Sequence, residues 1–127
     1  MREFLLSRLL SFRHAFAGIG YMLRTQKNAW IHAVIFALAL LLAAWLQLPP
    51  LDWVLILLTA GLVFGAELIN TSIEAVVDLA SPDLHPLARA AKDTAAAAVL
   101  LAAFMAIFIG LLILGPPLWN KMATFLK

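Results

Sequence analysis

The sequence predicts an all-α membrane protein with an N-terminal amphipathic helix and three transmembrane helices. Of its 127 residues, 65% are hydrophobic and 13% are charged, and the mean hydropathy is +1.00. Soluble domains carry about 25% charged residues, so this composition indicates a protein that lies in lipid. The chain, residues 1–127, is short enough to be a single domain.

Residues 1–25 predict a helix that lies in the membrane interface. On a helical wheel, its polar and apolar side chains fall on opposite sides. Arginines are threaded through the apolar residues, which suits anionic head groups and argues against a cleavable signal peptide. A soluble amphipathic helix that packs on the bundle is the alternative.

Prolines divide the remaining apolar sequence into three spans, residues 29–48, 51–80 and 86–114, and leave a tail at 115–127. Proline cannot easily continue a helix, so we expect the third helix to end at Gly115, before Pro116 and Pro117. About 20 residues cross the hydrocarbon, so the second and third spans must tilt or project from it.

The basic residues indicate the orientation. Five precede the first span and two follow the second, whereas only Lys121 and Lys127 follow the third and none lies at Pro49 and Pro50. The positive-inside rule then places the N-terminus and the loop around Ser81 in the cytoplasm. No basic stripe interleaved with aromatic residues indicates a nucleic-acid partner. The absence of cysteine excludes disulfides and thiolate metal sites.

An acidic stripe lies at the cytoplasmic end of the second span. It consists of Glu67, Asn70, Glu74 and Asp78, which fall on one helix face at about 100° per residue. Unpaired like charges at this spacing repel, so the stripe requires cationic partners. Arg89 and Lys92, at the start of the third span, are the expected partners, and Asp93 extends the polar cluster.

The residue types suggest a metal and a reaction. Carboxylate and amide oxygens suit Mg²⁺. The three histidines, His14, His32 and His85, have no i, i+4 pair, so we interpret them as interfacial or capping residues rather than zinc ligands. A lysine for phosphate and a carboxylate for a hydroxyl proton are the parts that phosphoryl transfer requires. No Walker A or protein-kinase motif is present.

Other interpretations fit the same residues. An acidic stripe can be a solvated face or a salt-bridged packing surface of an oligomer. It can also bind cations without chemistry, in a membrane scaffold or an ion-conducting bundle. The residue pattern alone leaves these possibilities open beside a kinase.

The pattern E-x-x-N-x-x-x-E-x-x-x-D, from Glu67 to Asp78, precedes an A-K-D triplet that ends at Asp93. Together they resemble the prokaryotic integral-membrane diacylglycerol kinase and undecaprenol kinase family. The resemblance implies a homotrimer in the bacterial inner membrane, with active sites between subunits at the cytoplasmic boundary. It also implies that Mg²⁺ and ATP are used to phosphorylate a membrane lipid alcohol. The segment HPLARAAKD is more similar to the undecaprenol kinase branch, which favours undecaprenol, with diacylglycerol as the alternative.

The resemblance also implies roles for single residues. Glu67 would be the general base that takes the proton of the lipid hydroxyl, and it would contact that lipid. Glu74 would bind magnesium and, through it, the nucleotide. Asn70 would position the lipid.

The remaining roles concern the nucleotide and two looser matches. Lys92, Asp93 and Asp78 would bind ATP. Arg13 matches a basic residue near the lipid or nucleotide. Gln26 stands where many members carry a glutamate as a second metal ligand, so it is a candidate ligand whose neutral oxygen is a poorer partner for Mg²⁺.

Overall fold

A computed structural model of the protein, which describes residues 1–83 and 85–126, contains four α-helices and no strand within those ranges. They are α1 (Arg2–Thr25), α2 (Lys27–Leu46), α3 (Pro50–Ala80) and α4 (Pro86–Phe125). By length and composition α2, α3 and nearly all of α4 can cross a membrane. The predicted all-helical class with three transmembrane helices is confirmed. Lys127, which entered the charge count, lies outside the described ranges.

Helix α3 is the centre of the bundle. It carries the buried residues Ile56, Val63, Glu67, Asn70 and Thr71, and it packs most extensively against α4. Leucine, isoleucine and phenylalanine side chains are exposed along the outside of the helices. An apolar exterior suits lipid contact, since lipid tails are as apolar as these side chains.

The connection from α1 to α2 is a single extended residue, Gln26. Its backbone N–H donates to the carbonyl of Met22 at 2.8 Å. The indole Nε1 of Trp30 donates to the carbonyl of Leu23, also at 2.8 Å, and so ties the first turn of α2 to the last turn of α1. These bonds fix the position of Gln26, which belongs to the site described below.

The turn from α2 to α3 lies at the opposite end of the bundle. Gln47 adopts the left-handed conformation, with φ of 56° and ψ of 47°, and the N–H of Leu48 donates to the carbonyl of Ala43 at 3.1 Å. This geometry satisfies carbonyls that the end of the helix leaves free. Pro50 then begins α3 at a position where its missing N–H costs nothing.

Helix α4 begins at a cap. Nδ1 of His85 accepts a hydrogen bond from the N–H of Leu87 at 3.2 Å, and Pro86 occupies the first helical turn. The capping interpretation of His85 is therefore confirmed.

The expected end of the third helix at Gly115 is wrong, because α4 continues through Pro116 and Pro117 to Phe125. The two prolines remove two N–H donors from the helix, but the segment beyond them has a partner in α2. Nζ of Lys121 donates to the carbonyl of Trp45 at 2.6 Å and lies 4.3 Å from the centre of its ring. In an α-helix this carbonyl would bond to residue 49, which is a proline without an N–H.

We expect Lys121→Met to lower the free energy of unfolding by about 1–2 kcal/mol, because the carbonyl of Trp45 loses its donor and the ring loses its cation. Equilibrium unfolding in detergent micelles measures the change. Lys121→Arg keeps a cationic donor and should stay close to wild type. A methionine variant as stable as wild type would show that this contact does not hold the extension in place.

Candidate functional site

A polar cavity of about 540 Å³ lies between α2, α3 and α4, beneath the α1–α2 connection. Its polar lining consists of Gln26, Asn28, His32, Glu67, Asn70, Glu74 and Asp93. Three helices and the connection therefore contribute to one site. Alanines of α4 line the opposite wall, where small side chains leave room for a ligand.

Both carboxylate oxygens of Glu74 are hydrogen-bonded to amides. Nε2 of Gln26 donates to Oε2 at 2.6 Å, and Nδ2 of Asn70 donates to Oε1 at 2.9 Å. The asparagine bond is local to α3, at i, i+4 spacing, whereas the glutamine bond crosses between helices. Glu74 is thus held by two neutral donors rather than by an ion pair.

Glu67 lies deeper on the same face and is 1% exposed. Its Oε1 has no hydrogen-bond partner, and the closest basic atom is Nε2 of His32 at 3.4 Å. The imidazole and the carboxylate are in contact, but their geometry is not that of a hydrogen bond. Oδ1 of Asn70 is also buried without a partner. The cavity therefore presents two free acceptor atoms, which suit a hydroxyl donor or a cation.

An apolar cavity of about 400 Å³ adjoins the polar one. It runs between α2, α3 and α4 toward the opposite end of the bundle, and its lining includes Phe36, Val63 and Ile107. Among the described residues, the two linings share His32 and Ala103. A chain of hydrocarbon in the apolar cavity would thus end at the polar one.

Asp78, the last acidic residue of the stripe, lies near the C-terminal end of α3, beside the first turns of α4. Nζ of Lys92 donates to Oδ1 of Asp78 at 2.9 Å, so the predicted neutralisation by Lys92 is confirmed for this aspartate. Arg89 does not pair with the stripe. It contacts Asp93 at 3.7 Å, one turn along α4, because side chains at i and i+4 are neighbours on a helix surface.

Residues 13–114 match the family model for prokaryotic diacylglycerol kinase. The chain belongs to this family. The match covers the acidic stripe, the A-K-D triplet and the α1–α2 connection, and it ends where the tail begins. The resemblance drawn from the motif is therefore confirmed, and with it the class of lipid kinases.

Some curated relatives of this chain are named for diacylglycerol and one is named for undecaprenol. A diacylglycerol kinase from Synechocystis sp. is 44% identical over 115 residues, which are 90% of this chain and 66% of that protein. An undecaprenol kinase from Bacillus subtilis is 44% identical over 108 residues, which are 85% of this chain and 88% of that protein. The diacylglycerol kinase of Escherichia coli is 34% identical over 103 residues, 76% and 84% of the two chains. Identity alone does not separate the two acceptors.

The structure brings together most of the residues that the motif of the diacylglycerol kinase family identifies. Glu67, Asn70, Glu74, Asp93 and Gln26 all line the polar cavity. Three other predicted site residues lie outside the described lining: Arg13, exposed on α1, and the Lys92–Asp78 pair. Their predicted roles therefore require ligands that reach beyond the cavity of one chain.

Two polar residues of this lining, Asn28 and the ionisable His32, are not predicted from the sequence. From the sequence, His32, like the other two histidines, is interpreted as an interfacial or capping residue because it has no i, i+4 histidine partner. The signal was present nonetheless, since His32 is the one ionisable residue within the span 29–48. An ionisable side chain inside a membrane span is costly and marks a functional position by default.

The residues of the site suit Mg²⁺ only if a phosphate ligand supplies part of its coordination shell. Within the described part of the chain, no group of three His, Cys, Asp or Glu side chains is placed to hold a metal. Mg²⁺ in kinases is held by one or two carboxylates, with water and phosphate oxygens completing the shell. Glu74 would supply such a carboxylate.

We expect Gln26→Glu to make the metal-free protein less stable and to increase its stabilisation by Mg²⁺. A carboxylate in place of the amide removes a donor to Glu74 and puts two negative charges 2.6 Å apart, which a divalent cation would neutralise. Thermal unfolding with and without Mg²⁺ measures both effects.

Gln47→Glu is the matched control, because it makes the same chemical change at the other end of α2. Equal responses of the two variants to Mg²⁺ would contradict a metal position beside Glu74.

Proposed function

We propose that this lipid kinase transfers the γ-phosphoryl group of ATP to the hydroxyl of undecaprenol and forms undecaprenyl phosphate. The observation that supports this best is the environment of Glu67. A buried carboxylate with a free acceptor atom lies where an apolar cavity opens into a polar one. A lipid alcohol has the matching chemistry, with a hydrocarbon chain that ends in a hydroxyl.

Glu67 acts as the general base. It takes the proton of the lipid hydroxyl while the hydroxyl oxygen forms a bond to the γ-phosphorus, and the bond from that phosphorus to the β–γ bridging oxygen breaks to release ADP. Asn70, which lines the same cavity one turn from Glu67, would position the lipid. Such positioning accounts for much of the rate that phosphoryl transfer requires.

The nucleotide occupies the outer part of the stripe. Glu74 lies seven residues beyond Glu67, about 10 Å along the axis of α3. Glu74, with Gln26 as a further candidate ligand, would hold Mg²⁺, which neutralises phosphate charge when bound. Lys92 and Asp93 would then contact the phosphates and the rest of the nucleotide, once Lys92 exchanges Asp78 for phosphate.

Two further residues are candidates for contacts with the nucleotide or the lipid. Asp78 would remain as a nucleotide contact after Lys92 has moved. Arg13 lies exposed on α1, where a guanidinium can reach a lipid head group or a phosphate.

The apolar cavity favours undecaprenol over diacylglycerol. Diacylglycerol carries two ester groups near its hydroxyl, and burying ester carbonyls without donors is costly. Among the described residues of the cavity lining, the polar side chains are His32 and Thr59, and the hydroxyl of Thr59 already donates to the carbonyl of Leu55 at 2.6 Å. A polyprenol brings no polar group other than its hydroxyl. Diacylglycerol remains the alternative acceptor.

We also propose a homotrimer in the bacterial inner membrane with the site on the cytoplasmic side. The distribution of Lys and Arg supports this orientation, since five of the nine lie between residue 2 and the first residue of α2, and two lie in the first two turns of α4. Support for assembly comes from an exposed groove of small side chains between α3 and α4, which includes Ala66, Ala91 and Ala98. Small residues allow close approach of helices within lipid.

We expect Glu67→Gln to reduce turnover by about 10²–10⁴-fold, because the amide cannot accept the hydroxyl proton. Folding and ATP binding should remain, since the substitution keeps the size of the side chain. Phosphate transfer from labelled ATP to lipid in micelles measures turnover. Glu3→Gln, on the exposed first turn of α1, makes the same change outside the site. Full activity of Glu67→Gln would remove Glu67 from this role.

The acceptor is tested by direct competition. Purified protein in micelles receives labelled ATP with equal amounts of undecaprenol and diacylglycerol. We expect most of the label in undecaprenyl phosphate, because the apolar cavity has few donors for ester groups. Label chiefly in phosphatidic acid would establish diacylglycerol instead. Label in neither lipid would contradict the proposed function.

A further inference from the structure

His32 lies where the two cavities meet. Its imidazole belongs to both linings, and its side chain is 19% exposed while that of Glu67 is 2% exposed. It comes from α2, whereas Glu67 comes from α3. The contact between them at 3.4 Å is therefore a link between helices at the point where the proposed hydrocarbon chain would end.

Three donors of the site and its surroundings already bind other acids. The amides of Gln26 and Asn70 donate to Glu74, and Lys92 donates to Asp78. A buried carboxylate without a hydrogen bond or a cation carries a large desolvation cost. Within the described residues, the imidazole of His32 is the basic group that contacts Glu67. Burial and the contact with His32 therefore act together on this carboxylate.

We propose that His32 is the positioning residue of Glu67. The imidazole, with its proton on Nε2, lies 3.4 Å from Oε1 and limits the positions that the carboxylate can take beside the wall shared by the two cavities. Because the 3.4 Å contact is not a hydrogen bond, Oε1 stays free to accept the proton of an incoming hydroxyl. This inference rests on the proposed function, which by itself requires no partner for Glu67.

The first test detects the pair without any substrate. The chain has three histidines, so protein labelled with ¹⁵N-histidine gives few ring-nitrogen resonances, and single substitutions assign them. We expect Glu67→Gln to shift the resonances of His32 and to leave those of His14 and His85 in place. The two unaffected histidines, on α1 and at the start of α4, also report that the variant is folded. Unchanged His32 resonances would overturn the inference, whatever the enzymatic activity.

The second test measures the catalytic consequence. We expect His32→Leu to lower kcat by about 100-fold, the scale of loss when a reacting group is misplaced by about 1 Å. The KM for ATP should stay unchanged, because the nucleotide lies beside Glu74. His32→Gln keeps an N–H donor near Nε2 and should recover part of kcat. His14→Leu, on exposed α1, is the matched control and should behave as wild type.

The outcomes separate the two proposals. Equal losses in His32→Leu and His32→Gln, or a loss confined to the KM for ATP, would overturn positioning through the N–H. A wild-type protein that phosphorylates neither undecaprenol nor diacylglycerol would overturn the proposed function and the catalytic role of His32 together. In that case the nitrogen resonances would still decide whether the two side chains form a pair.

Discussion

The burial of a carboxylate inside an apolar bundle is the constraint on which the site depends. Glu67 is 1% exposed on the central helix, where water cannot stabilise its charge. Each helix around it therefore contributes something specific: α2 brings His32, the α1–α2 connection brings Gln26 to the neighbouring Glu74, and α4 contributes small side chains that leave a cavity. These three elements thus provide the contacts and the open space around one membrane-buried acid.

The helices and the stripe could be predicted because they depend on local sequence. Apolar runs of sufficient length specify spans, and residues at i, i+3 and i+7 share a helix face whatever surrounds them. Glu67, Asn70 and Glu74 consequently line one cavity. The cap at His85 could be predicted for the same reason, since its partner, Leu87, lies two residues away. The family motif added possible roles for these residues, which spacing alone could not supply.

Contacts between helices could not be predicted in this way. Gln26 and Glu74 are 48 residues apart, and Lys121 and Trp45 are 76 apart, so each pair depends on how the helices dock. Two consecutive prolines normally end a helix, yet α4 continues because its far segment has a partner on α2. Likewise His32 has no neighbour in its own helix that reveals its function. Its partner Glu67 comes from another helix.

Two glutamates two turns apart on one helix thus have different chemistry. Both oxygens of Glu74 accept hydrogen bonds from amide donors, which fix the orientation of its carboxylate, as the proposed metal ligand requires. Glu67 has a free oxygen beside an imidazole and an apolar cavity, which suits a group that gains and loses a proton. These different environments support the roles proposed for the two residues, Glu67 as the base and Glu74 as the metal ligand. Exchange of the two proposed roles would require each acid to take the neighbours of the other, and those neighbours belong to α2 (His32), the α1–α2 connection (Gln26) and α3 (Asn70).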